Sequence, residues 1–150
     1  MVHHPPMIEV RRAEPSEVID LRHTILRAGL PRETAIFPGD DSEGTIHVVA
    51  IDGGAVVGCA TMLRSAWEGQ RAWQVRGMAV TARLQGRGVG RALLTELECL
   101  ARADADGAAI MWCNARTPAV GFYERAGWVV ASPEFVIETA GPHVKMTRRL

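Results

Sequence analysis

Cysteine, tyrosine and phenylalanine are scarce in this chain, which has three, one and three of them among 150 residues. The cysteines, Cys59, Cys99 and Cys113, are odd in number and show neither a Cys-x-x-Cys pair nor a zinc-finger spacing. That excludes a disulfide framework and a thiolate metal site, and leaves three reduced thiols. Cys113 has no histidine near it in sequence to activate it, so with Cys59 it reads as a small apolar residue of a strand. Excess charge of either sign is also missing. Seventeen basic residues face seventeen acidic ones and no run concentrates the basic ones, which argues against a nucleic-acid or anionic-membrane partner. No apolar run reaches the length of a membrane span, and residues 1–6 lack the charged and apolar regions of a signal peptide, so a cytoplasmic protein is expected. His3 and His4 there are read as part of a mobile tail, and no metal site is expected in the chain. There is no internal repeat, low-complexity stretch or linker-like segment. With 47% hydrophobic residues the chain can bury a sizeable core, and one domain over residues 1–150 is expected, with 1–6 as its tail.

Glycine, by contrast, is plentiful at fifteen residues, and three glycines alternate in one stretch, Gln85-Gly86-Arg87-Gly88-Val89-Gly90. Such a stretch lets the backbone turn tightly and brings several N–H groups close to a ligand with no Cβ in the way. The residues after it are helical by their spacing: Val89, Leu93, Leu97 and Leu100 form an apolar stripe that Leu94 and Ala101 widen, with Glu98 and Arg102 four apart on the side read as polar. The positive end of that helix, the loop N–H groups, Arg87 and Arg91 together make an anion site suited to a pyrophosphate. Before the loop, residues 73–80 read as a strand in which Gly77 marks a bulge or a close approach by a ligand. The loop is not the dinucleotide fingerprint, because Arg91 stands where the last glycine should be, and it lacks the Gly-Lys-Ser/Thr of a P-loop.

In chain order, residues 7–12 read as a first strand. Residues 15–17 open a helix with Val18, Leu21, Ile25 and Leu26 on one side and Gly29 as its stop. Residues 31–43, with Pro31, Pro38 and Gly39, read as loop with at most a short helix, and Asp40-Asp41-Ser42-Glu43 within it reads as an exposed acidic turn. Strands follow at 45–51 and 55–63 around the hairpin signal Asp52-Gly53-Gly54. Residues 67–71 form a turn before the motif strand. After the helix, the nearly continuous apolar run 108–113 reads as a strand buried on both faces. A strand, a crossover helix and a second buried strand imply a parallel pair. Strands are expected at 128–131, 134–139 and 144–150, with Gly141-Pro142 turning between the last two.

Two stretches carry a family resemblance. Val80-Thr81-Ala82-Arg83-Leu84-Gln85-Gly86-Arg87-Gly88-Val89-Gly90 resembles the acetyl-CoA-binding motif of the GNAT superfamily of N-acetyltransferases, V-x-P-x-x-(Q/R)-G-x-G-(I/V)-G, with Ala82 in place of the usual proline. Residues 114–128 resemble the family's later signature, N-x-x-A-x-x-(F/L)-Y-E-x-x-G-(F/W), through Ala119, Tyr123-Glu124 and Gly127-Trp128. Arg116 occupies the place where the family often has asparagine and Asn114 lies two residues earlier, so which of the two meets CoA stays open.

The resemblance implies an α/β (α+β) fold of GNAT type: a mixed, mostly antiparallel sheet of about seven strands flanked by helices, with the parallel pair at the acetyl-CoA seam. It implies acetyl-CoA as co-substrate and direct transfer of the acetyl group to a primary amine of a small molecule, peptide or protein in a ternary complex. Met78, Ala79 and Val80 would offer N–H groups to the pantetheine arm and thioester carbonyl. Gln85, Gly86, Arg87, Gly88, Val89, Gly90 and Arg91 would hold the pyrophosphate. Tyr123 would meet the cofactor and protonate the departing thiolate. Homodimers are common in the family, and the acidic turn at 40–43 would attract a cationic amine near the acceptor cleft. No carboxylate lies in residues 72–80 where many members keep their general base, leaving Asp40, Asp41, Glu43, His47, Glu138 and His143 as sites to compare. Rival classes are a non-catalytic acyl-CoA sensor and an interaction module, against both of which Tyr123 weighs.

Overall fold

The structure, a computed structural model, describes residues 8–150, so His3, His4 and Met7 lie outside the described residues. Among these residues the order is β1 (Glu9–Ala13), α1 (Ile19–Leu26), β2 (Ile46–Asp52), β3 (Ala55–Arg64), β4 (Ala72–Val80), α2 (Val89–Arg102), β5 (Ile110–Arg116), α3 (Val120–Arg125), β6 (Val129–Val130), β7 (Phe135–Ile137) and β8 (Gly141–Arg149), with short 3-10 turns between. The eight strands pair in the order β1-β2-β3-β4-β5-β8-β6, with β7 also on β8. This is a mixed α/β fold whose sheet is mostly antiparallel around one parallel pair, β4 with β5. The chain divides into two compact units, one holding the described residues to Leu63 with Gly77–Cys99, the other Arg64–Arg76 with Leu100–Leu150.

In the first unit β1, β2 and β3 are antiparallel neighbours, and Asp52↔Ala55 closes the β2–β3 hairpin expected at Asp52-Gly53-Gly54. The turn into α1 is held by Glu17, whose carboxylate accepts from the Glu14 N–H at 2.7 Å and from Arg11 at 2.8 Å. Val18, Ile19 and Leu21 then pack on Val49, Cys59 and Ala79. On α2 the stripe Val89, Leu93, Leu94, Leu97 and Ala101 is buried as its spacing predicts. Glu98 departs from the reading: it is buried with the stripe and not on the polar side. β3 meets α2 through Gly58, where a Cβ would stand 2.8 Å from Val89 Cγ1 and 2.9 Å from Leu93 Cδ1.

In the second unit β4 and β5 run parallel from Ala72↔Ile110 to Val75↔Cys113. β5 then lies against β8 along its whole length, Ile110↔Arg149 to Arg116↔His143. β6 and β7 both pair with β8. Gly141-Pro142 does not form the expected turn. The turn runs over 138–140, with Thr139 at φ 69° and Gly141 at φ 89° where β8 begins, and Pro142 falls one residue before β8 meets β5, where a missing N–H is tolerated.

Gly58→Ala tests the β3–α2 contact. A methyl group there must displace two packed side chains, so we expect a loss of about 1–3 kcal/mol in urea unfolding, the usual cost of overpacking a full core. A loss below about 0.5 kcal/mol would mean that α2 sits more loosely on β3.

Candidate active site

The glycine loop follows β4 through a 3-10 turn, Ala82–Leu84, whose first residue is the alanine standing for the motif's proline. Gly86 and Gly88 have φ of 77° and 89°, a region closed to most side chains. A Cβ built on either would meet nothing within 4 Å, so the loop's outer side is open. Leu84 and Val89, both buried, anchor its two ends. The Gln85 side-chain amide donates to Val80 O at 3.0 Å and ties the loop to the last residue of β4. At α2 the first i→i−4 bond runs from Ala92 N to Gly88 O, so the N–H groups of Val89 and Gly90 are among those that no preceding helical carbonyl can take. Arg87 and Arg91 are exposed beside them. Met78, Ala79, Val80 and residues 85–91 are thus gathered at one end of β4. An open turn of glycine N–H groups capped by a helix start fits a pyrophosphate.

Further back on β4 stands a cluster that sequence reasoning missed. Gly77 has φ of 65°, and between Ser65 N→Ala72 O and Thr81 N→Val57 O β4 uses one more residue than β3, which is the expected bulge. Against it lies Arg22 of α1, fully buried. Its Nη1 donates to Asp40 Oδ2 at 2.6 Å and Ala35 O at 3.0 Å, and its Nη2 to Asp40 Oδ1 at 3.0 Å and Thr61 Oγ1 at 2.8 Å. The Phe37 N–H donates to Asp40 Oδ2 at 2.8 Å, and the Phe37 ring lies 4.1 Å below the guanidinium. His47 closes the cluster, with Nδ1 2.8 Å from Thr61 Oγ1 and Nε2 2.9 Å from Asp40 O.

This corrects the acidic turn. Asp40 is a buried partner of Arg22, and only Asp41 and Glu43 of the turn's carboxylates are exposed. Burial pushes the Asp40 carboxyl up, but the hydrogen bonds from Arg22 and Phe37 and the nearby positive charge outweigh it and hold it below the usual carboxylate range. His47 is likewise held, by Thr61 and the Asp40 carbonyl. The cue was Arg22: a charged residue on the apolar side of α1, next to Leu21, with an aspartate to pair.

The second unit holds the other expected site residues. Tyr123 on α3 is buried against Trp128 and Phe122, with ring centroids 5.3 and 5.1 Å away. Burial raises its hydroxyl well above the ordinary phenol value, and its hydrogen bond with Cys113 adds to the shift, so the phenol stays protonated. The Cys113 thiol is pushed up to about 12 by burial, although that hydrogen bond and the Met146 backbone oppose the rise. A thiol so placed is no nucleophile near neutral pH. Asn114 Oδ1 accepts from Lys145 Nζ at 3.0 Å, and that ammonium lies 4.7 Å from the Trp112 ring centre. His143 is buried, its Nδ1 2.8 Å from Gly141 O, and Glu138 is exposed in the turn before β8.

Comparison with known proteins agrees with this geometry. A family profile for the acetyltransferase (GNAT) domain matches residues 43–130. YitI, an uncharacterized N-acetyltransferase of Bacillus subtilis (strain 168), is 27% identical over 151 residues, covering 96% of this chain and 97% of its own. Escherichia coli ElaA shares the fold with a TM-score of 0.77 at 20% identity, over 95% of this chain and 99% of its own. An aminoglycoside 6'-N-acetyltransferase solved with coenzyme A gives 0.73 at 13% identity, over 94% of this chain and 96% of its own. The chain belongs to the GNAT acetyltransferase family. It is an acyltransferase of the N-acetyltransferase type. Among the described residues no helix is long and apolar enough to cross a membrane, and no group of His, Cys, Asp and Glu is placed to hold a metal ion.

Two measurements follow from these environments. Cys59 and Cys113 are buried with thiols pushed up to about 11 and about 12, whereas Cys99 is exposed. A thiol-disulfide reagent at pH 8 should modify Cys99 quickly and the other two only on unfolding; a second fast thiol would contradict the burial. For Asp40, whose carboxyl is lowered by folding, the unfolded chain takes up the proton first on acidification. Its contribution is therefore full above about pH 4 and is lost as pH falls below that. The stability gap between wild type and Asp40→Asn should shrink below about pH 4, and a pH-independent gap would refute the ionic account.

Proposed function

We propose that the enzyme transfers an acetyl group from acetyl-CoA to a primary amine by direct attack in a ternary complex. The observation that carries this is the open glycine loop at the end of β4, with Gly86 and Gly88 at positive φ and the start of α2 beyond them. Acetyl-CoA would supply an acyl group already activated as a thioester. In this reading Gln85, Gly86, Arg87, Gly88, Val89, Gly90 and Arg91 bind the pyrophosphate, and Met78, Ala79 and Val80 orient the pantetheine arm and thioester carbonyl. Backbone donors fixed before the reaction stabilise oxygen charge as it develops, because they need not reorganise at that moment. As the amine nitrogen forms its bond to the carbonyl carbon, the carbon–sulfur bond breaks and the sulfur takes a proton from Tyr123. A phenol kept protonated by its surroundings suits that task. In this reading the proton that the amine loses passes to water, and Tyr123 regains its proton from water. Asn114, paired with Lys145, is assigned to the cofactor's edge, and a cytoplasmic location accords with the co-substrate.

Acetyl-CoA should stabilise the protein against heat, and NAD or ATP much less. At ligand a hundredfold above its dissociation constant the gain is about 2.7 kcal/mol. Gly88→Glu places a side chain and a negative charge in the loop and should abolish that protection; undiminished protection would refute the loop assignment. Tyr123→Phe keeps the ring packing and removes the proton donor. Turnover should fall on the order of a hundredfold with acetyl-CoA binding little changed. Full turnover, under conditions where chemistry limits the rate, would remove Tyr123 from the mechanism.

A further inference from the structure

The guanidinium of Arg22 gives four of its five N–H donors to Ala35, Asp40 and Thr61, which fixes its plane. The fifth, on Nε, is buried without a hydrogen-bond partner and abuts β4: Nε stands 2.9 Å from where a Cβ on Gly77 would be. Phe37 Cε2 closes the same space at 3.2 Å, and from the other direction the Cys59 thiol donates to Gly77 O at 3.6 Å. Stability alone is a poor account of this arrangement. A buried ion pair is often no better for folding than apolar residues of the same volume, and an orphaned N–H is a cost. The cluster instead spans four separate segments, α1, the loop through Asp40, β2 and β3, and concentrates their rigidity on one residue of β4.

We infer that Arg22 is a positioning residue for acyl transfer: locked by Asp40 and Thr61, it holds the β4 backbone at Gly77 and so sets the direction of the Met78, Ala79 and Val80 N–H groups. The inference rests on the acetyl-transfer reading for its kinetic consequence, but not for the contact itself. A misplacement of about 1 Å in groups that orient a substrate can cost about a hundredfold in rate. Gly77→Ala would push the strand away from Arg22, and Arg22→Lys would keep a cation beside Asp40 while losing the fork and the Nε edge.

The test compares Arg22→Lys, Gly77→Ala and the double variant, with kcat and KM from the release of free CoA thiol across an amine panel and with the amide resonances of Met78, Ala79 and Val80. Arg22→Lys should lower kcat per folded molecule about tenfold or more, leave KM for acetyl-CoA within about threefold, and shift those amide signals. The two losses should combine in the double variant to less than their product, because both act through the one contact that sets β4 at Gly77. A lowered melting temperature with kcat and amide signals unchanged, or losses that simply multiply in the double variant, would overturn the inference. Should Arg22→Lys fail to fold, Asp40→Asn, which keeps the volume and unlocks the fork, decides by the same readouts. If wild type releases no thiol from acetyl-CoA with any amine, the functional reading fails, and the amide signals alone decide whether Arg22 sets β4.

Discussion

At φ of 65°, with a guanidinium nitrogen 2.9 Å from the position of its absent Cβ, residue 77 has room for glycine alone. A strand that must take this conformation cannot keep a regular ladder, and the extra residue of β4 relative to β3 shows where the irregularity is absorbed. The course of β4 into the glycine loop follows from that kink. The residues after Gly77 turn toward the glycine loop, Gln85 ties the loop back to Val80, and α2 starts where the loop ends. The polar cluster around Arg22 is the counterpart of the kink, since a left-handed residue persists only where its surroundings over-determine it.

Burial of polar groups is handled differently in the two units. In the first, charge is buried as a pair, with the Asp40 carboxylate accepting from Arg22 and from the Phe37 N–H, which holds its carboxyl below the usual range. In the second, the groups around α3 are kept neutral: Tyr123 and Cys113 share a hydrogen bond, and desolvation raises both. The framework that makes this possible is β8, which is paired with β5, β6 and β7 and brings Met146 beside Cys113.

Most of the fold was legible in the sequence because its signals are local. The period of Val89, Leu93 and Leu97, the alternating glycines of the loop and the unbroken apolar run into Cys113 each need only a few neighbouring residues to be read. Even the bulge at Gly77 announces itself, as a glycine inside a strand pattern. What escaped depends on partners distant in sequence. Asp40 sits in Gly-Asp-Asp-Ser, a composition that reads as exposed turn, and only Arg22, eighteen positions earlier, buries it. Glu98 lies on the wrong side of a clear stripe. Gly141-Pro142 is a strong turn dipeptide locally, yet the turn falls just before it, over 138–140, and Gly141 with its positive φ leads out of it. For the site, the glycine loop could be read from spacing, whereas the state of Tyr123 could not, because it is set by burial, with Cys113 of β5 adding to it.

The kink in β4 also bears on how the chain comes to be made. Until β5 has been synthesised, about forty residues later, β4 presents its outer edge with no neighbour, since a parallel partner can arrive only through a crossover. A long flat edge of that kind is a template on which a second nascent chain can add. A strand broken by a left-handed glycine is a poor template, because an incoming strand cannot keep register across the bend. The residue that bends β4 in the folded chain thus also makes its open edge a poor template while the chain is being made.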